Sequence, residues 1–130
     1  MQNGNTPLRA LLVEDEGMTV LLLKRALTNA GFEVVGIVSD GDEAIVAARL
    51  LQPDFILMDI NMPRMNGIEA TRQIYRERPT PIIMLSAYLD DATRQRAADA
   101  GACAYLVKPI AIELIAPSVR SALKDFAGAA

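Results

Sequence analysis

Apolar and polar positions along this chain alternate between two rhythms. Residues 8–13, "LRALLV", form a short apolar run that stops at Glu14-Asp15-Glu16, as a buried strand does. The rhythm then lengthens. Over 17–30, Met18, Leu21, Leu22, Ala26 and Leu27 fall at helical spacing, and Gly31 behind them is a natural terminator. "FEVVGIV" (32–38) reads as a second strand because it is rich in Val and Ile. "SDGDEAIVAARLLQ" (39–52) supplies turn chemistry and then a helix, with Pro53 just beyond its end. "DFILMD" (54–59) is a third strand, and a loop with Pro63 leads to an amphipathic helix over 67–78. "PTPIIMLS" (79–86) gives a fourth strand, with Pro81 at a tolerated first position. A polar helix over 90–100 ends at Gly101, and "CAYLVK" (103–108) is the fifth strand. The last helix covers roughly 112–126. Pro117 inside it lacks the N–H for an i−4 bond, which predicts a kink or a late helix start. Five alternations of strand and helix imply a parallel sheet covered by helices on both faces, a doubly wound α/β fold.

In such a sheet every strand C-terminus lies on one edge, and ligands bind there. The residues at those ends are Glu14 and Asp15, Asp59, Ser86, and Lys108-Pro109. Each has an ordinary explanation. An Asp at a strand end is often a helix N-cap, a Ser before a loop is often turn chemistry, and a Lys there is often a solvated charge. Their combination asks for more. Three crowded carboxylates repel and raise one another's pKa values, which a fold accepts when a cation is expected. Carboxylates with a backbone carbonyl suit a hard divalent ion in octahedral oxygen ligation, so Mg²⁺ is the natural occupant. A hydroxyl and an ammonium facing a metal-bound carboxylate suit a phosphoryl group, whose oxygens need donors and counter-charge.

Composition narrows the field. One domain is expected from 130 residues, and 52% apolar with 22% charged content is that of a globular chain. A net charge of −3 disfavours nucleic-acid binding by simple attraction. The absence of histidine excludes Ser-His-Asp and Cys-His catalysis, histidine-ligated metals and a phosphohistidine on this chain. No apolar run approaches the ~18 residues of a membrane span, and "MQNGNTP" lacks a signal-peptide pattern. The single Cys103 cannot form an internal disulfide, so a reducing, cytoplasmic location is expected. Cys103 reads as a small core residue, and Met58, Met62 and Met65 as core and loop packing. Arg94 and Arg96 read as a solvated helix face that could meet a partner.

At this point the chain resembles the receiver domain of bacterial two-component response regulators. The matching pieces are "LLVEDE" (11–16), "LMDINMPRMNGIEA" (57–70), "PIIMLSAY" (81–88) and "GACAYLVKP" (101–109), in order and at the family's spacing. The resemblance covers residues 7–127, leaving 1–6 and 128–130 as tails. It implies a CheY-like, flavodoxin-like fold with a five-stranded parallel sheet in order 2-1-3-4-5 and five helices. It implies that Asp59 is the phospho-acceptor, taking the phosphoryl group of a histidine kinase or phosphotransfer protein. Mg²⁺ would be held by Glu14, Asp15, Asp59 and the backbone carbonyl of Asn61. Lys108 would pair with the phosphoryl oxygens, Ser86 would bond them once they arrive, Tyr105 would be the aromatic switch, and Pro109 would follow a cis bond. The readout face would be helix four, strand five and helix five, also a candidate homodimer surface. The domain itself would bind no nucleic acid and no membrane, and would catalyse only its own phosphorylation and dephosphorylation.

Departures refine these expectations. The hydroxyl is Ser86 where Thr is also common, and Ser is less constrained at χ1. Tyr88 is placed to shield a phosphate from water, and Asn61 to influence water attack, so slow autodephosphorylation is expected. "GACAY" at 101–105 lacks the pattern of the winged-helix DNA-binding subfamily. The chain is read as a stand-alone receiver, or as one excised from a longer regulator. "GFEVVGIVSDGDEAI", "LSAY", "GACAYLVKP" and "LIAPSVRSALKDF" resemble receivers attached to RNA-binding antiterminator modules, and similar strings occur in receivers fused to signalling enzymes. Two other classes fail on local residues. A haloacid-dehalogenase-like phosphatase wants an Asp where "MDINM" has Asn61, and a flavodoxin-like binder wants a phosphate loop where the chain has "EDEGM".

Overall fold

A computed structural model describes residues 6–62, 65–88 and 90–129. Pro63 of the expected loop lies outside the described residues, as do 1–5 and Ala130 of the expected tails. The elements run β1 (Arg9–Val13), α1 (Gly17–Asn29), β2 (Glu33–Val38), α2 (Gly41–Leu51), β3 (Phe55–Asp59), α3 (Gly67–Glu77), β4 (Ile82–Ser86), α4 (Asp91–Ala100), β5 (Ala104–Val107) and α5 (Ile112–Ala129). The strands form one parallel sheet in the order β2-β1-β3-β4-β5.

The pleat sorts side chains between two cores. Leu11, Val13, Ile56, Met58, Ile82 and Met84 face α2, α3 and α4. Ala10, Leu12, Phe55, Leu57, Ile83 and Leu85 face α1 and α5. Every residue of β3 and β4 is buried, so these strands read as continuous apolar runs rather than alternating ones. Between β1 and β2 the register jumps, with Ala10 opposite Val34 and Leu11 opposite Gly36. Val35 is the extra residue of that bulge.

Helix starts follow local chemistry. Glu16 accepts from the backbone N–H groups of Met18 and Thr19, Asp40 from Glu43, Asn66 from Glu69 and Asp90 from Thr93. These caps satisfy N–H groups that have no intrahelical partner. At the other end of α4, Gly101 sits at φ +117, and an added Cβ would also meet the ring of Tyr75 2.6 Å away.

Two elements differ from the sequence expectation. The fourth strand, expected to start at Pro81 within the 79–86 stretch, begins one residue later at Ile82, because Pro81 has no N–H for the ladder. Pro81 still contributes its carbonyl, which accepts from Ile56 N at 2.9 Å. The last helix starts at Ile112, so Pro117 lies in its second turn rather than delaying its start. It also runs on to Ala129. Ile115, Val119 and Ala122 are buried, and this packing offsets the bond that Pro117 cannot make.

Candidate functional site

Parallel pairing brings the C-terminal ends of the strands to one edge. Glu14 and Asp15 follow β1, Asp59 ends β3, Ser86 ends β4 and Lys108 follows β5. One carboxylate oxygen from each of Glu14, Asp15 and Asp59 lies within 4.8 Å of the others. Glu14 and Asp59 are buried, at 2% and 4% exposure, while Asp15 faces solvent. Lys108 Nζ reaches into the group, 2.8 Å from Glu14 Oε1 and 3.3 Å from Asp59 Oδ1. None of these three acids caps a helix. Those duties fall to Glu16 for α1 and Asn66 for α3. Helix capping therefore does not explain Glu14, Asp15 and Asp59.

Asp59 is held from below and behind. Its strand is buried along its full length, so the apolar run fixes the carboxylate in space. The first turn of α3 then passes directly over the strand end, with Gly67 N donating to Ile60 O at 2.8 Å. A Cβ at Gly67 would collide with the carbonyl of Asp59, so the close approach requires glycine. The β2-side wall is equally tight, because a Cβ on Gly41 would lie 2.7 Å from Met65 Cβ.

Electrostatics follow from this crowding. Burial and then the nearby Glu14 charge push the Asp59 pKa from 3.8 up to about 6. Lys108 and a backbone hydrogen bond with Asn61 work in the other direction and lose. For Lys108, burial opposes the charge, but its bonds to Glu14 and Asp59 outweigh that cost and raise its pKa. The site thus holds one carboxylate whose charge is costly, beside an ammonium and two further carboxylates. This is a hard, oxygen-rich donor set of the kind a divalent cation such as Mg²⁺ fits.

The remaining expected residues lie outward of this group. Ser86 is 1% exposed, and its Oγ accepts from Tyr88 N at 2.9 Å. Tyr105 is half-buried on β5, and its hydroxyl donates to the carbonyl of Tyr88 at 3.0 Å. Tyr88 itself is 48% exposed, as is fitting for a rim residue. Asn61 is exposed beside Asp59, and the Lys108–Pro109 bond is cis. Two features escaped the sequence reading. Glu16 looked like part of the acidic run but is a cap. Lys108 looked like a charge waiting for a phosphoryl group, yet it already bridges two acids. Only the meeting of β1, β3 and β5 reveals that bridge.

A doubly wound sheet with acids and a lysine converging beyond its strand ends defines a class of phosphoryl-binding signalling domains. The response regulator receiver domain pattern matches residues 10–120, and the chain belongs to that family of two-component signalling proteins. Among curated proteins, the transcriptional regulatory protein PdtaR of Mycobacterium tuberculosis is 42% identical over 120 residues, covering 92% of this chain and 58% of that protein. A protein-glutamate methylesterase/protein-glutamine glutaminase of Geobacter metallireducens is 44% identical over 105 residues, covering 78% of this chain and 30% of that protein. The chain therefore spans about half or less of the length of these relatives. Among solved structures, the response regulator domain of Thermotoga maritima CheB is 34% identical with a TM-score of 0.82, covering 92% of this chain and 96% of that one. The CheY-like fold expected from the resemblance is thus the fold observed. Among the described residues, no helix is long and apolar enough to cross a membrane.

Proposed function

We propose that Asp59 is the phosphoryl acceptor of this receiver. A carboxylate oxygen of Asp59 attacks the phosphorus of a phosphohistidine on a histidine kinase or phosphotransfer protein. The new O–P bond makes an acyl phosphate as the P–N bond breaks, and the imidazole nitrogen keeps the electron pair and takes a proton. The reading rests on one observation: a buried carboxylate with a raised pKa stands between two further acids and the Lys108 ammonium. Glu14, Asp15, Asp59 and the Asn61 carbonyl would hold Mg²⁺, which supplies counter-charge to the incoming group. Lys108 would exchange part of its carboxylate pairing for the phosphoryl oxygens, and Ser86 would turn its hydroxyl from Tyr88 toward them. Loss of that bond frees Tyr88, and with it the partner of Tyr105. Phosphorylation thereby biases the surface of α4, β5 and α5 toward one of two arrangements.

The protein is thus read as a cytoplasmic switch that catalyses only its own phosphorylation and dephosphorylation. Its α4-β5-α5 face would engage an output domain or a downstream protein, or pair two copies. The partial coverage of its relatives favours a second reading of the setting, a receiver belonging to a longer regulator. The output would then be an RNA-binding antiterminator module or a fused signalling enzyme. The central claim is tested with acetyl phosphate, with and without Mg²⁺, by intact-protein mass spectrometry. A Mg²⁺-dependent phosphoryl adduct is expected. No adduct, or one that persists in Asp59→Asn, refutes the assignment.

A further inference from the structure

Opposite the edge that carries Asp59, the strands begin and α3, α4 and α5 end. A groove of about 750 Å³ opens there, lined by the last turns of these three helices and by the chain entering β4 and β5. Its floor is apolar: Ala100 is buried, Cys103 is half-buried, and Gly101 lies so close to Tyr75 that a Cβ would meet the ring. Two half-buried rings, Tyr75 and Phe126, and two exposed acids, Asp99 and Asp125, stand along it. The groove has one sign of charge. Among the described residues, no Lys or Arg lines it, and neither acid makes an ion pair. Asp99 accepts only from the neutral amide of Gln95, at 2.8 Å. Burial pushes the Cys103 thiol pKa up and the Asp125 charge adds to that push, so this carboxylate acts on the groove floor. The rings are uncovered as well. Elsewhere this chain lays its own guanidinium groups over aromatic rings, Arg94 at 4.8 Å from the centroid of Tyr105 and Arg120 at 5.4 Å from that of Phe32. Among the described residues, no cation lies over Tyr75 or Phe126.

We propose that this groove docks an extended, arginine-bearing segment of a partner protein. A guanidinium is planar, stacks on aromatic faces and pairs with carboxylates through parallel hydrogen bonds. The ammonium of a lysine is a compact, strongly hydrated charge that matches the rings and acids less well. The apolar floor accepts the methylene stem of the arginine and an aliphatic neighbour. A purely apolar segment fits poorly, because covering two unpaired acids costs desolvation that nothing returns. Groove-to-groove pairing of two copies of this chain is opposed by charge, since it sets Asp99 and Asp125 against their own kind. The net charge of −3 adds a longer-range attraction for a basic segment. Because the groove lies at the edge away from Asp59, the proposal does not depend on the acceptor assignment.

The probe is the peptide acetyl-Leu-Arg-Leu-amide, and its control carries citrulline, which keeps the planar shape of arginine and lacks the charge. Each is titrated into nitrogen-15-labelled protein and followed by amide chemical shifts. The arginine peptide is expected to move Gly101, Ala102 and Cys103 together with the amides around Asp125. It should bind about five- to fifty-fold more tightly than the citrulline peptide, from one ring stack and two exposed ion pairs. Asp99→Asn and Asp125→Asn should each weaken the arginine peptide about two- to five-fold and leave the citrulline peptide unchanged. Both acids are exposed, so the variants keep the fold, and the comparison of the two peptides needs no variant at all. Equal binding of the two peptides overturns the proposal and marks the groove as a plain apolar one. No binding of the arginine peptide up to its solubility limit overturns it too. So do shifts of Gly101, Ala102 and Cys103 that follow protein concentration without peptide, which assign the groove to a second copy of this chain.

Discussion

Asp59 shows how one residue can be both well placed and costly. Its carboxyl is more basic in the fold than in the unfolded chain, so the native state binds the proton more tightly. The associated stability is fully present below pH 3.8 and is lost as pH rises through about 6. At neutral pH the fold therefore carries the cost of an ionised Asp59. In metal-free buffer, Asp59→Asn should be more stable than the unsubstituted protein at pH 7.5 by roughly 1–3 kcal/mol. The difference should shrink as pH falls toward 4, as read by urea denaturation across that range. Lys108 carries the opposite expectation. Lys108→Met removes the cation that pairs two buried acids and should destabilise at neutral pH by about 1–3 kcal/mol. The value falls below that of a fully buried pair because the lysine side chain keeps 24% exposure. At the rim, Tyr88 is proposed to shield the acyl phosphate. Tyr88→Ala should shorten the lifetime of phospho-Asp59, followed by loss of the phosphoryl adduct over time. A lifetime of only seconds in the unsubstituted protein would sink the shielding idea.

Among the elements, the junction of β3 with α3 is the most demanding. The helix must begin directly over the strand end, and Gly67 makes that possible by leaving no Cβ against the Asp59 carbonyl. Gly67→Ala should cost about 1–3 kcal/mol by forcing the helix off the strand. It should also lower the phosphorylation rate, since Asp59 would move with the strand end. A stability change below about 0.5 kcal/mol in denaturant unfolding would show that the junction yields easily. The helix caps show what local sequence can and cannot say. Asp40, Asn66 and Asp90 are caps of ordinary type. Glu16 caps with a longer side chain, accepting from Thr19 N at 2.7 Å. Sequence preference alone would sooner have assigned that duty to Asp15, which is instead left at the edge with Glu14 and Asp59.

Across the whole molecule, stability and responsiveness are unevenly spread. The central strands β1, β3 and β4 are buried almost throughout, whereas β5 is half-buried at every position and forms one edge of the sheet. Amide hydrogen exchange should therefore be slowest in β3 and β4. Phosphorylation should change exchange chiefly from Ser86 through α4 and β5, leaving β1 and α2 as they were. Changes spread evenly over the sheet would contradict a switch confined to one edge. The proposed output surface thus includes an edge strand with less burial to lose than the central strands.

Much of this architecture was legible in the chain itself. Strand and helix follow from the period of apolar positions, because each rhythm buries one kind of face. The alternation of the two implies a parallel sheet, and a parallel sheet puts Glu14, Asp15, Asp59, Ser86 and Lys108 at one edge. The helix ends at Gly31 and Gly101 follow from backbone freedom that other residues lack. What tertiary structure alone decided are the contacts between residues far apart in sequence. Lys108 bridges Glu14 and Asp59 because β1, β3 and β5 end at one edge of the sheet and the lysine reaches across the end of β4. The Asp59 pKa rises because the strands around it exclude water, a property of packing and not of the residue. Arg94 meets Tyr105 because α4 lies against β5. Composition and periodicity describe what each segment prefers by itself, whereas these interactions exist only once the segments share a core.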